Sequence, residues 1–137
     1  MKKTEKMKEE VDDITRVELE FSVNTSPNIL FQRLCTPHGL SEWFADDVNL
    51  SGKTFTFIWK GTSRQAELVE LKVNKYVKFQ WIDDDSNASF SFKISTDDIT
   101  GDISLIVIED IDDPEEEEEV KTLWLHQVNE LKRAIGA

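Results

Sequence analysis

The segment TPHGLSEWFADDV, residues 36–48, decides how the chain folds. It begins with Thr36-Pro37, a pair typical of a helix start, and it ends in two acids, Asp46 and Asp47. Between them, Trp43 and Phe44 place two large apolar side chains next to each other. Such a pair fills a core, closes a pocket or contacts a partner. The sequence on either side is needed to decide among these three roles.

Length and composition predict one domain with a substantial core. The chain has 137 residues, including 4 Trp and 8 Phe, whose rings supply much of the buried area. Residues 1–13 alternate charges without an apolar run, so they are interpreted as a charged N-terminal lead-in, neither a signal peptide nor a membrane span. The folded domain is predicted to cover residues 14–137.

The charge balance restricts the partners. A formal net charge of -12 argues against nucleic acid, which needs a positive protein surface, and disfavours anionic membranes. Cys35 is the single cysteine, so an intrachain disulfide is impossible and a reducing compartment fits. We therefore expect a cytoplasmic protein.

The elements before and inside the opening segment form a strand followed by two short helices. Residues 15–23 alternate apolar and polar side chains, a pattern typical of a half-buried antiparallel strand. Ser26-Pro27 predicts a helix start, and the break at Thr36-Pro37 predicts a second helix over residues 37–44.

A run of strands follows, separated by turn signals at Gly52, Gly61, residues 83–87 and Gly101. The alternation weakens in residues 64–73, which indicates a β-bulge. One predicted face of these strands is rich in aromatic rings: Phe55, Phe57, Trp59, Phe79, Trp81, Phe90 and Phe92. Residues 102–110 are apolar on both faces, and an outer strip of Ile106 and Ile108 is predicted to pair with another copy of the chain.

A long amphipathic helix closes the chain. Asp113 is predicted as its N-cap, Pro114 as its first residue, and Glu116 as the other half of a capping box. A stripe at helical spacing predicts the face that covers the sheet: Val120, Leu123, Trp124, Val128, Leu131 and Ile135. The fold class is therefore α+β.

These residues together resemble the START-like superfamily, also called SRPBCC, helix-grip or Bet v 1-like. Within it, the chain is similar to homologues of the heat-shock-protein-90 ATPase activator. The resemblance covers residues 15–136 and depends on residues 26–31, 36–46, 55–59 and 123–132, with Thr-Pro-x-Gly-Leu-x-x-Trp-Phe as its most specific part. It implies a curved antiparallel sheet whose concave face is crossed by the last helix. Trp43 would then close the mouth and Phe44 would be a second plug, either as core or as ligand contacts.

Catalytic and metal-binding patterns are weak in this sequence. His38 and His126 lack metal-ligand spacing, and Cys35 lacks a base partner. The acidic pair at residues 46–47 and the acidic triplet at residues 83–85 fall at predicted turns. Glu42 and Glu70 are the acids with the most apolar neighbours. The sequence predicts no metal, no cofactor and no enzymatic activity.

Three functions remain as hypotheses. The first is a non-catalytic domain that holds an apolar small molecule or lipid-like ligand between the sheet and the last helix, in a cavity lined by Trp43, Phe57, Trp59, Phe79, Trp81, Phe90, Trp124 and Val128. The second, implied by the resemblance, is a protein-interaction or chaperone-accessory module. The third is a cyclase-like enzyme, which would need a titratable group facing the cavity. The expected assembly is a monomer or a homodimer.

Overall fold

The computed structural model describes residues 14–83 and 87–137, so the predicted lead-in of residues 1–13 lies outside the described part of the chain. Seven strands and three α-helices are arranged along these residues. In chain order they are β1 (Thr15–Ser22), α1 (Pro27–Cys35), α2 (Pro37–Ser41), β2 (Asp47–Ser51), β3 (Thr54–Trp59), β4 (Thr62–Lys72), β5 (Tyr76–Trp81), β6 (Ser89–Thr96), β7 (Ile103–Ile111) and α3 (Glu117–Ile135).

The seven strands form one antiparallel sheet in the order β1-β7-β6-β5-β4-β3-β2. Consecutive strands pair from β2 to β7, and β1 closes the other side by pairing with β7. The ladder between β4 and β5 shifts register between Leu68 and Glu70, which confirms the predicted bulge. The α+β prediction is confirmed, with short helices after the first strand and a long helix at the end.

Both short helices begin at the predicted caps. Ser26 Oγ accepts a hydrogen bond from the Ile29 backbone N–H at 3.2 Å, and Thr36 Oγ1 accepts one from Gly39 at 2.9 Å. The second helix is shorter than the predicted range of residues 37–44, because α2 ends at Ser41. The backbone then turns, and the N–H groups of Phe44 and Ala45 both donate to the Leu40 carbonyl. This turn directs Trp43 and Phe44 into the protein, where their side chains are 6% and 5% exposed.

The strand β2 differs from the sequence prediction, which places a turn at Asp46-Asp47. Asp47 instead begins an edge strand that pairs with β3, and Val48 is its buried residue. A five-residue edge strand with one buried side chain carries too little alternation to be recognised.

The closing helix begins later than predicted. Asp113 does act as a cap, since its carboxylate accepts from Glu115 N–H at 2.9 Å, but Pro114–Glu116 form a 3₁₀ turn and the α-helix starts at Glu117. Leu123 of the predicted stripe is 56% exposed, whereas Trp124, Val128 and Leu131 are buried. No helix within the described residues is long and apolar enough to cross a membrane.

Aromatic rings occupy the space between the sheet and α3. Phe57, Phe79 and Phe92 are 0% exposed, and the rings of Phe79 and Phe90 stack with centroids 5.0 Å apart. Phe44 joins the strands to the helix, because its ring meets Phe57 edge-on at 4.9 Å and stacks on Trp124 at 5.7 Å. These separations are typical of packed aromatic pairs.

Candidate functional site

A cleft of about 320 Å³ opens where the first half of α3 meets the inner face of the sheet. It is called the tryptophan cleft below, and it is lined by Phe44, Trp59, Arg64, Trp81, Phe90, Glu109, Leu123, Trp124 and Gln127. Pockets that hold small molecules typically begin near this volume and combine apolar walls with a few polar groups.

Three indole rings from different elements form its walls. Trp59 lies on β3, Trp81 on β5 and Trp124 on α3. Trp59 is fixed because its indole N–H donates to the Phe44 carbonyl at 2.8 Å, and the Gln127 side-chain amide donates to the same oxygen at 3.2 Å. The backbone after α2 is thereby tied to both the sheet and α3.

Arg64 contributes the positive charge of the cleft. It occupies an inward position of β4 opposite Phe57, and its guanidinium lies 3.9 Å from the centroid of the Trp81 ring. One guanidinium nitrogen is also 3.3 Å from the carboxylate of Asp83. Both contacts hold Arg64 as part of the wall.

Glu109 contributes the negative charge. Its position on β7 continues the inward series of Ile103, Leu105 and Val107, which are all buried. The Trp124 indole N–H donates to the Glu109 carboxylate at 2.6 Å. Burial raises the pKa of Glu109 above its usual value, while the Trp124 hydrogen bond and the charge of Arg64 act in the opposite direction. The cleft thus presents a partly desolvated acid beside aromatic surface.

Sequence reasoning missed both charged residues of the cleft, although the strand pattern contained them. In residues 103–111 every second position points inward, and Glu109 is the polar member of that series. Arg64 precedes Ala66 and Leu68 at the same spacing on β4, and Ala66 is buried. A charged side chain at an inward strand position is the signal that would have identified each of them.

The eight predicted cavity residues divide into two groups. Trp59, Trp81, Phe90 and Trp124 do line the tryptophan cleft. The other four lie elsewhere: Trp43 borders a neighbouring recess, and Phe57, Phe79 and Val128 are 0% exposed within the aromatic packing. The structure therefore brings half of the predicted set to one recess, where Trp81, Phe90 and Trp124 are also buried parts of the core.

A second recess of about 360 Å³ lies beside the first and shares Phe44, Trp59 and Gln127 with it. Its rim is acidic and includes Glu42, Asp46, Glu130 and His126. Glu42 is already paired there, since its two carboxylate oxygens lie 2.7 Å from Arg33 and 3.2 Å from His38. Across residues 14–83 and 87–137, no group of three His, Cys, Asp or Glu side chains is placed to hold a metal ion.

The remaining residues named from the sequence do not reach the tryptophan cleft. His38 has a side chain that is 87% exposed, and Glu70 borders an open recess near the turn after β4. Cys35 is half-buried against the core, and burial raises the pKa of its thiol.

The comparisons with known proteins identify the family. A model of the START-like superfamily domain matches residues 11–137. The chain belongs to the START-like superfamily. This confirms the resemblance found in the sequence, and the observed sheet and closing helix are those of a helix-grip-like domain. No curated protein matches the sequence.

Solved structures share the fold of this START-like domain at low sequence identity. The Aha1 dimer from Colwellia psychrerythraea has a TM-score of 0.75 and 20% identity, covering 88% of this chain and 95% of that one. The AHSA1-like protein from Aeromonas hydrophila has a TM-score of 0.71 and 9% identity, covering 89% and 92%. DynU16, a putative protein in the dynemicin biosynthetic locus, has a TM-score of 0.76 and 15% identity, covering 89% and 47%.

Proposed function

We propose that this START-like domain is a non-catalytic binding module that holds a small, largely apolar molecule in the tryptophan cleft. The observation that carries the proposal is the convergence of Trp59, Trp81 and Trp124, from three elements, on one recess that remains open to solvent. Trp59 is half-buried, and Trp81 and Trp124 are 8% and 4% exposed, so these two rings line the recess while they also pack in the core.

The size of the cleft limits the ligand. A volume of about 320 Å³ suits a molecule with one ring or two fused rings, or a short aliphatic chain. A lipid with a long tail would have to extend beyond the cleft. Small ligands of this kind bind in roughly the micromolar to millimolar range, so the binding assay has to reach millimolar concentrations.

Two alternative functions have less support in the geometry. A cyclase-like enzyme would need a titratable group facing the cleft, and Glu109, whose pKa is raised by burial, is such a group. The described residues that line the cleft include no second carboxylate, histidine or nucleophile to act with it. A protein-interaction or chaperone-accessory module would draw on the resemblance and on the acidic surface, neither of which selects a partner.

The proposal is tested by an NMR titration of the full chain with indole, a neutral apolar probe. We expect the indole N–H signals of Trp59, Trp81 and Trp124 to shift with one common dissociation constant. Trp43 is the internal control, because its N–H donates to the Arg33 carbonyl at 2.8 Å and its ring does not line the cleft. Shifts spread equally over all four signals, or none at millimolar indole, would contradict the proposal.

Two leucines on α3 provide a matched pair of variants. Leu123 and Leu125 are 56% and 51% exposed, but only Leu123 lines the cleft. Leu123→Ala removes apolar wall and should weaken indole binding about threefold. Leu125→Ala should leave the dissociation constant unchanged. Native mass spectrometry of gently purified protein would show whether a natural ligand is retained.

A further inference from the structure

Glu109 gives the tryptophan cleft a chemical preference. We propose that the cleft selects a small organic cation, namely a protonated amine attached to an apolar or aromatic body, whose ammonium group lies against the Glu109 carboxylate. This inference rests on the proposed function, because it names the class of ligand that the same cleft takes.

The carboxylate of Glu109 has acceptor capacity to spare. An ionised carboxylate offers about four lone-pair sites, and the hydrogen bond found for Glu109 within the described residues is the one from Trp124. No side-chain cation in that part of the chain lies within ion-pair distance of it. The neighbouring Asp110 carboxylate, in contrast, has partners for both oxygens. Its Oδ1 lies 3.3 Å from Arg16 Nε, and its Oδ2 accepts a hydrogen bond from Ser89 Oγ at 3.0 Å. Glu109 is therefore the acid of the cleft lining that has no ion pair within the described residues, although the charge of Arg64 still acts on it from a longer distance.

The walls around Glu109 favour the same ligand charge. Trp is the aromatic residue that attracts cations most strongly through its ring face. The cleft already shows this contact once, with the Arg64 guanidinium 3.9 Å from the centroid of the Trp81 ring. The rings of Trp59 and Trp124 line the same recess and can contact the carbon atoms next to an ammonium group.

The positive charge of Arg64 would repel a cationic ligand, and the contacts of its guanidinium weaken this repulsion. Its guanidinium is paired with Asp83 as well as stacked on Trp81. An anionic ligand drawn to Arg64 would have to lie in the same small cleft as the Glu109 carboxylate, which repels it. The net charge of -12 also raises the concentration of cations near the surface.

Three probes of nearly equal shape separate the charge preference from apolar binding. They are 2-phenylethylammonium, the neutral 2-phenylethanol and the anionic 3-phenylpropanoate, each titrated into the full chain at neutral pH and followed by the tryptophan N–H signals. We expect the ammonium to bind about tenfold more tightly than the alcohol, and the carboxylate to bind most weakly.

Two variants then assign the preference to one side chain. Glu109→Gln keeps the shape and should bring the ammonium and the alcohol to within about twofold of each other. Glu18→Gln changes the net charge equally on the exposed face of β1, and should keep the preference. If Glu109→Gln does not fold, the ranking of the three probes on the wild-type chain still decides the question.

The possible failures are distinguishable. Equal binding of the ammonium and the alcohol would overturn the charge preference and leave the proposed function intact. Tightest binding of the carboxylate would overturn it in favour of Arg64 as the recognising group. Binding of none of the probes at millimolar concentration would overturn both the inference and the proposed function.

Discussion

Two neighbouring aromatic regions lie between the same sheet and the same helix, and they differ in their polar content. In the core, Phe57, Phe79 and Phe92 are 0% exposed. In the tryptophan cleft, the rings of Trp59, Trp81 and Trp124 stand beside Arg64, Glu109 and Gln127. The rings of the two regions touch, since Phe57 and Trp81 have centroids 6.0 Å apart.

This difference shows that aromatic rings alone do not open a cleft in this fold. A cleft forms where inward strand positions carry charged side chains, because a charge must keep water or a polar partner and cannot be packed over. Phe44 separates the regions, since its ring packs against Phe57 and its carbonyl accepts the hydrogen bonds that position Trp59 and Gln127.

The largest expected effect comes from the core. Phe79→Ala should lower the free energy of unfolding by about 3–5 kcal/mol, because it removes a ring that is 0% exposed. Leu123→Ala, a truncation at the cleft, should cost less than about 1 kcal/mol because that side chain is already 56% exposed. Urea unfolding followed by circular dichroism measures both. Equal losses would show that the cleft is packed as tightly as the core.

The second largest loss of stability is expected at Gly39, where α2 packs closely against α1. A Cβ added at Gly39 would lie 2.2 Å from the Gln32 carbonyl oxygen and 2.7 Å from the Arg33 Cα. Gly39→Ala should therefore cost about 2–3 kcal/mol, because backbone must move. It should also shift the NMR signals of Trp59, since Phe44 follows α2. The control is Gly52→Ala, where the added Cβ meets open space but φ is +63°, with an expected cost of about 1 kcal/mol.

Loss of one indole N–H at the cleft should lower the free energy of unfolding by a smaller amount. Trp124→Phe removes the donor to Glu109 and should cost about 1–2 kcal/mol, since a partly buried carboxylate loses the hydrogen bond it receives. Trp59→Phe removes a donor to the Phe44 carbonyl, which still accepts from Gln127, and should cost about half as much. Thermal unfolding compares the two variants, and a larger loss for Trp59→Phe would contradict the importance assigned to Glu109.

The smallest expected effect depends on pH. Because folding raises the pKa of Glu109, the folded chain holds that proton more tightly, and the free energy of unfolding falls as the pH rises from about 4.3 through the raised value. Glu109→Gln lacks this titrating carboxyl group, so its melting temperature should rise relative to that of wild type as the pH rises through the same interval. Glu18→Gln sets the background, and a flat difference for Glu109→Gln would disprove the linkage.

The elements and their order could be predicted because their signals are local. Ser26 and Thr36 form the caps that their residue types favour, and the alternation in residues 15–23 and 88–95 marks two strands of the sheet. The candidate site was predicted only in part. The sequence pattern identifies Trp59, Trp81, Phe90 and Trp124 as inward positions with rings. No local feature separates Trp59 from Phe57 on β3, or Trp81 from Phe79 on β5.

The sequence by itself determined the family, the caps, the bulge and the aromatic face, since each depends on residue types at short spacing. Only the tertiary structure decided which aromatic rings border the cleft and that Glu109 meets Trp124, residues on different elements. It also decided that the chain turns after Ser41 and buries Trp43 and Phe44. Trp43 and Phe44 fill the core, and Phe44 is also one wall of the cleft. These contacts depend on packing between elements that are distant in sequence, and such packing cannot be derived from a local sequence pattern.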